Sequence, residues 1–242
     1  MDSKALYARY QELQAYVGWT DADAARVSAS AALIEPHLPA LVDDFYAEIT
    51  RHPGARKVIT GGKAQIDRLK GTLTIWVREL MHGPYDVEHV AKRWRIGWRH
   101  VEIGLDQVYT NVALSRLRSG IVRAIMKHFQ GDPTDLAETI ESLHKLIDLD
   151  LAIIEDAYQS EYLNRQAQVE RLAAVGHMAG GVAHELRQPL NVIRSSVYYL
   201  QHARKPTPQK QNEHLDRTAR QAKVAAAVST ATAQLATLLV GA

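Results

Sequence analysis

Residues 175–193 of the 242-residue chain read VGHMAGGVAHELRQPLNVI, and this stretch decides how the C-terminal part folds. Small or apolar residues recur there at heptad spacing, which is typical of a helix in a coiled coil or bundle. With Leu172 at heptad position d, the remaining seam positions are Ala179, Leu186, Ile193 and Leu200 at d, and Gly176, Ala183, Leu190 and Val197 at a.

His184 falls at position b and Glu185 at position c, beside the seam but outside it. We therefore expect the imidazole of His184 to face solvent, where another domain can reach it. Pro189 falls at g, and a proline inside a helix removes one backbone hydrogen bond and crowds the preceding turn. We expect Pro189 to bend the helix just beyond the histidine.

A second helix is predicted after a polar turn at residues 205–208. Its apolar face contains Val224, Val228, Leu235 and Leu238 at helical spacing. The two helices should form an antiparallel hairpin with two apolar seams, one of which stays exposed in a single chain. Two copies would bury both seams as a four-helix bundle, so the sequence predicts a homodimer.

Residues 224–242 carry no charged side chain and were therefore compared with a membrane span. Five Ser, Thr and Gln residues dilute their hydrophobicity, which favours a packed or partner-facing helix. We expect no membrane partner.

The composition is that of an ordinary globular protein, with 46% hydrophobic and 23% charged residues. A net charge of +2 gives no electrostatic reason to expect a nucleic-acid or membrane partner. The chain has no cysteine, which excludes disulfides and thiolate chemistry, and its N-terminus lacks the apolar core of a signal peptide. These features favour a cytoplasmic location.

Strand signals are nearly absent, and prolines and glycines punctuate long helical stretches, so the predicted fold class is all-α. A compact helical bundle is expected to about residue 130, followed by long helices. The longest helix is predicted from Asp135 to about His202, with Gly180-Gly181 as its one candidate interruption.

The segment around His184 resembles the dimerisation and phosphotransfer domain of sensor histidine kinases, whose motif is H-E-x-x-x-P within an apolar run. The resemblance implies that His184 is the phosphoacceptor, attacking the γ-phosphate of ATP through a neutral ring nitrogen. Glu185 would orient or deprotonate the ring. The partner would be a response regulator. The family often has Asn or Thr four residues after the histidine to dephosphorylate that regulator, and Gln188 stands there in this chain.

Such kinases bind ATP in a separate lobe with glycine-rich phosphate loops. After Gly181 this chain has a single glycine, Gly241, and no phosphate-cradling motif. We therefore expect the chain to contribute catalysis through His184 and Glu185 but to lack the ATP-binding domain and to be inactive alone.

The first 160 residues contain three further motifs that point to a ligand site. His100 lies in RIGWRHVEIGL with Ile96 and Ile103 on the same helix face. Tyr46 follows Phe45 in VDDFYAEI, and DRLKGTLTIW places Leu69, Thr72 and Trp76 on one face. From the residues alone, His100 could equally be a core histidine bonded to a backbone carbonyl. Tyr46 could equally be a core tyrosine.

Together these motifs resemble the globin domain of globin-coupled sensors, which has an F-Y pair, an R-L-K-x-T-like stretch and H-x-x-I-G-L in this order. The resemblance implies binding of haem b, with His100 as the proximal iron ligand and hence the metal ligand. Tyr46 would donate a hydrogen bond to bound oxygen, while Leu69 and Thr72 shape the distal pocket. The sixth iron position would be open to a diatomic gas such as O2, CO or NO.

The sequence thus predicts a globin-type haem sensor domain at 1–160 and a dimerisation and histidine-phosphotransfer hairpin at 161–242. The predicted function is a haem-based gas sensor of a two-component system. The alternatives are a globin-type oxygen carrier or haem enzyme, and a haem-free dimeric scaffold for a response regulator. Residues 143–163 are apolar on more than one face, which predicts a subunit interface within the sensor as well.

Overall fold

The computed structural model describes residues 2–205 and 207–240, without the side chains of Ala179 and residues 235–240. This part of the chain is 88% helical with no strand, so the all-α prediction is confirmed. A short 3-10 turn at Glu35–His37 precedes the third helix. The α-helices are α1 (Ser3–Tyr16), α2 (Asp21–Ile34), α3 (Leu38–Arg51), α4 (Pro53–Arg56), α5 (Gly62–His82), α6 (Val87–Glu102), α7 (Gln107–His128), α8 (Pro133–His202) and α9 (Pro208–Val240).

Most helix ends lie where capping residues, prolines and glycines predict them. Thr20 caps α2: its hydroxyl accepts a bond from the backbone N–H of Asp23 at 3.3 Å, and the Asp23 carboxylate accepts from the N–H of Thr20 at 2.8 Å. Such a reciprocal box satisfies two N–H groups that the first helical turn leaves unpaired. Helix α8 continues through Gly180-Gly181, so the candidate interruption there is absent.

The chain divides into two compact units, the first ending at Tyr162 and the second beginning at Leu163. Within the described residues, no helix is long and apolar enough to cross a membrane.

The core of the first unit consists of two apolar clusters that both include residues of α8. The larger cluster joins α8 to α2, α3, α5 and α7 through side chains that include Val27, Leu38, Leu80, Ile121, Leu143 and Ile147. The smaller one joins α8 to α1 and α6 through Leu6, Tyr10, Val90, Leu149 and Ile153. Each fully buried aliphatic side chain contributes about 1.5–3 kcal/mol to folding.

This arrangement gives residues 143–163 partners within their own unit. Their apolar faces are buried inside the sensor unit itself, since Leu143, Leu146, Ile147, Leu149 and Ile153 are at most 2% exposed. Contact with two clusters explains why this part of α8 is apolar on more than one face, and a subunit interface at residues 143–163 stays a prediction.

The second unit contains the C-terminal part of α8, followed by α9. The α8 side chains turned inward lie at heptad positions d and g, not at a and d. Pro189 and Ser196, both at g, are buried, and Leu186 and Ile193 at d are half-buried. The a-position residues stay exposed, with Leu190 55% and Val197 37% accessible. A single partner helix covers only one side of α8, which is why the a side remains open.

The inward face of α9 also differs from the predicted one. Its half-buried side chains are His214, Thr218, Gln221, Ala225, Val228 and Thr232, spaced alternately four and three residues apart. Val224 is 47% exposed, so it does not share the inward face with Val228 as predicted. The side chains of Leu235 and Leu238 lie outside the described residues. Near the turn, the rings of Tyr199 and His214 stack with centroids 4.1 Å apart.

Helix α6 approaches α8 closely at a glycine. A Cβ built on Gly97 would lie 2.2 Å from the carbonyl oxygen of Ile154, far inside van der Waals contact. Only glycine allows the two backbones to meet at this point. Because α6 carries His100, this contact also fixes the helix on which the candidate ligand stands.

We expect Gly97→Ala to lower the free energy of unfolding by about 1–3 kcal/mol, because the added methyl group forces α6 away from α8. Gly71→Ala is the matched control: it lies within α5 with nothing within 4 Å of its added Cβ, and it should gain about 1 kcal/mol from helix propensity. Urea unfolding followed by circular dichroism measures both. Equal stability of the two variants would contradict the close-contact interpretation.

Candidate functional site

His100 lies in the last turn of α6, and the residues after it end the helix in a defined way. The backbone N–H of Leu105 donates to the carbonyl of His100 at 2.9 Å, and that of Gly104 donates to Val101 at 3.0 Å. This pair of bonds is a Schellman motif, which requires a residue with positive φ; Gly104 has φ of 69°. The I-G-L part of the motif therefore fixes where α6 ends and which way the chain leaves His100.

The His100 imidazole is half-buried, and its Nδ1 atom is buried with no hydrogen-bond partner among the described residues. Burial lowers the pKa of His100 to about 4, so the ring is neutral at pH 7. A core histidine would normally bond a carbonyl or carboxylate through such a nitrogen. The side chain thus has the properties of a metal ligand, a neutral imidazole with an unengaged nitrogen.

A buried ion cluster holds α6 on α8 next to the Gly97 contact. The Asp150 carboxylate of α8 is fully buried and lies 2.6 Å from Nε of Arg93 and 2.9 Å from Nε2 of His89, both on α6. Arg93 is 1% exposed, and its guanidinium also lies 5.2 Å from the centre of the Trp76 ring on α5. Removing one member of a buried ion pair typically costs about 3–5 kcal/mol.

This cluster was not predicted from the sequence, although Asp150 stands within the apolar run LIDLDLAII. A carboxylate inside such a run indicates a buried partner, because an unpaired charge there is very unfavourable. Burial, followed by the negative charge of Asp150, raises the pKa of nearby Tyr10 above its usual range. The cluster holds α6 in position. Among the described residues, no hydrogen bond joins it to His100.

Tyr46 lies within α3 and is 8% exposed, so it points into the first unit. Its hydroxyl donates to the backbone carbonyl of Leu69 on α5 at 3.3 Å. This bond is long, so a stronger acceptor could take the place of the Leu69 carbonyl. Burial raises the pKa of Tyr46 to about 12, which keeps the phenol a donor at neutral pH. The Phe45 ring packs edge-to-face against it at 5.2 Å.

The structure therefore brings Tyr46 and Leu69 together. Leu69 is half-buried and packs against the larger cluster. Thr72 is exposed, and its hydroxyl donates to the carbonyl of Arg68 on its own helix at 3.2 Å. Within the described residues, no hydrogen bond or ring contact joins His100 to Tyr46, Leu69 or Thr72. The shared distal site of these three residues stays a prediction.

His184, the candidate phosphoacceptor, lies on the exposed side of α8, as do its neighbours Glu185 and Gln188. Helix α8 is continuous past Pro189, which packs inward while His184 faces outward. Because Pro189 has no N–H, the carbonyl of Glu185 loses its usual donor four residues on. The backbone beside His184 is thus less constrained than in an ordinary helix, and the imidazole is open to a docking partner.

The fold and the two histidines define a class of protein: a helical sensor-type unit followed by a hairpin that carries an exposed histidine. The chain belongs to the Protoglobin family, whose model matches residues 6–164. The model of the His Kinase A (phospho-acceptor) domain matches residues 174–235. The resemblance to a globin-coupled sensor histidine kinase is thereby confirmed.

Similar proteins include a heme-based transducer and a histidine kinase. The heme-based aerotactic transducer HemAT of Halobacterium salinarum is 25% identical over 189 residues, which are 75% of this chain and 38% of the transducer. The signal transduction histidine-protein kinase AtoS of Escherichia coli is 50% identical over 42 residues, which are 17% of this chain and 7% of that kinase. This chain therefore spans well under half the length of either relative.

A solved structure supports the fold of the first unit. The globin domain of the Geobacter sulfurreducens globin-coupled sensor superposes with a TM-score of 0.58 at 29% sequence identity. The match covers 61% of this chain and 96% of that domain.

Proposed function

We propose that the chain is the haem-based gas-sensing and phosphoacceptor part of a two-component signalling protein. The observation that supports this most strongly is His100, a neutral, half-buried imidazole with an unpartnered nitrogen at the end of α6. The similar proteins point the same way, since the transducer is heme-based and the solved globin domain belongs to a globin-coupled sensor.

The residues of the first unit fit a haem b group. His100 would hold the iron through its imidazole, and the bound group would supply a reversible coordination site for O2, CO or NO. Neutrality of the ring matters, because a protonated imidazole has no lone pair to donate. The Schellman turn at Gly104 and the Gly97 contact fix the backbone around the ligand without engaging its ring.

On the opposite side, Tyr46 would donate a hydrogen bond to the gas ligand. Its hydroxyl already points as a donor toward α5, where it bonds the Leu69 carbonyl at 3.3 Å. A small movement would exchange this weak acceptor for the ligand. Leu69 and Thr72 would line the same side, with Thr72 turning inward from its present exposed position.

In the second unit, His184 would receive phosphate and pass it to a response regulator. The exposed imidazole meets the first requirement of such a residue, access by two different partners. Glu185 follows directly and would support the ring as a base or orienting group. The chain would only receive phosphate, because its sequence offers no glycine-rich loop to hold ATP.

A homodimer completes the proposal. Leu190 and Val197 on the open side of α8 are 55% and 37% exposed, and Leu172 is 72% exposed. Exposed apolar side chains at heptad spacing mark a surface that a second copy would cover. Two hairpins joined through this surface would form the predicted four-helix bundle.

We expect His100→Ala to abolish stable haem binding, because the iron loses its protein ligand; the Soret band measures this. His82→Ala is the matched control, since His82 is exposed at the end of α5 and should be dispensable. His100→Gly with added imidazole should recover the spectrum, which separates lost ligation from misfolding. A His100→Ala variant with full haem and an unchanged spectrum would show that another residue is the ligand.

We expect Tyr46→Phe to retain haem but to release oxygen about 10–100-fold faster in stopped-flow measurements. The estimate follows from a hydrogen bond to a partly charged ligand worth about 1–3 kcal/mol, at 1.4 kcal/mol per tenfold. Tyr16→Phe, at an 89% exposed position on α1, is the control and should leave the rate unchanged. An unaltered off-rate in Tyr46→Phe would remove Tyr46 from the ligand site.

We expect His184→Ala to eliminate acid-labile labelling when the chain is mixed with radioactive ATP and a separately expressed histidine-kinase ATP-binding lobe. His177→Ala is the matched control, because His177 is exposed one heptad earlier and should leave labelling intact. No label should form without the added lobe. Label that persists in His184→Ala would disprove the phosphoacceptor assignment, and label on the chain alone would disprove the absence of an ATP site.

A further inference from the structure

A cleft of about 660 Å³ lies between α3 and α7, apart from His100 and Tyr46. Small side chains leave its middle open, namely Ala40, Ser115, Ser119 and Ala124 together with Gly120. Its volume is within the usual range of small-molecule sites, about 300–1,000 Å³. Its walls carry several basic side chains, and their charge balance decides what it can bind.

One of these basic groups is already neutralised. Arg116 donates through Nε and Nη2 to the two carboxylate oxygens of Asp44, both at 2.8 Å, and lies 3.5 Å from Glu48. Arg123 and Lys127 lie one helical turn apart on α7. The charge of Arg123 also acts on Asp44, although no ion pair within 4 Å joins either side chain to a carboxylate in the described part of the chain. Three basic side chains, Arg116, Arg123 and Lys127, stand against the single carboxylate of Asp44, so the lining carries an excess of two positive charges.

Two imidazoles lie at the end of the same cleft. The rings of His37 and His128 stack with centroids 4.6 Å apart and planes 23° from parallel. The Nε2 atom of His128 is buried without a hydrogen-bond partner among the described residues. Since imidazole lone pairs lie in the ring plane, stacked rings do not converge on one metal ion. They can instead offer N–H donors to an anion.

We propose that this cleft binds a polyphosphate anion, with Arg123 and Lys127 facing its charges and the rings of His37 and His128 at its end. An excess of two positive charges in the lining calls for a ligand with at least two negative charges. Guanidinium and ammonium groups form their strongest hydrogen bonds with phosphate oxygens. The volume admits a diphosphate group with room for an attached organic portion. This site is independent of the haem and phosphoacceptor proposals.

The test titrates the full chain with inorganic pyrophosphate in a calorimeter, with ionic strength held constant by potassium chloride. We expect a Kd of about 1 mM or tighter. Arg123→Gln and Lys127→Gln should each raise it by about tenfold, the loss of one charge-assisted hydrogen bond. Arg95→Gln removes the same charge from an exposed position on α6 and should leave the Kd unchanged.

A parallel titration with ADP distinguishes two sources of the diphosphate group. If ADP binds more tightly than pyrophosphate, the ligand is a nucleotide. If ADP binds equally or more weakly, the ligand is a free polyphosphate. Absence of binding at millimolar pyrophosphate would overturn the proposal. So would equal weakening by Arg95→Gln and Arg123→Gln, since that outcome indicates general charge attraction. Thermal unfolding of each variant confirms that its fold is intact.

Discussion

The contact between α6 and α8 is the constraint on which the sensor unit depends. At Gly97 the two backbones come so close that no side chain fits between them. About one and two turns earlier on α6, Arg93 and His89 share the fully buried carboxylate of Asp150. The first contact sets the distance between the helices, and the second sets their register, because an ion pair formed in a low-dielectric core tolerates little displacement.

This pair of contacts also explains the position of the candidate ligand. His100 follows Gly97 by three residues, close to one helical turn, so it lies near the face of α6 that approaches α8. Its backbone is held by the helix contact on one side and by the Schellman turn on the other. The imidazole is left without a partner inside a well-fixed frame. A ligand site with a preorganised backbone and a free donor atom is suited to bind a metal-containing group.

Local signals in the sequence predict the ends of the long helix α8 to within about two residues, because capping and turn residues act on their immediate neighbours. Thr20 with Asp23, Pro39 and Gly104 each act within one turn at a helix end. The three ligand-site motifs and the H-E-x-x-x-P motif likewise indicated both domains, since a motif keeps its spacing whatever surrounds it.

Features that depend on partners distant in the chain could not be predicted in this way. Helical periodicity shows that α8 is apolar on several faces but not which neighbour covers each face, so residues 143–163 suggested a subunit interface. Val224 and Val228 are one turn apart, yet only the second is half-buried, because the crossing of two helices selects the inward face. Thr72 satisfies its hydroxyl on its own helix, an option that spacing alone does not reveal.

Under the proposed function, the same contacts decide how a change at His100 reaches the second unit. A ligand that moves α6 must either move α8 with it or separate Arg93 and His89 from Asp150. Separation would cost about 3–5 kcal/mol, whereas allosteric coupling energies are typically about 1–3 kcal/mol. The lower-energy response is for α8 to follow α6. Because α8 extends without a break from Pro133 to His202, the helix that carries Asp150 is also the helix that carries His184.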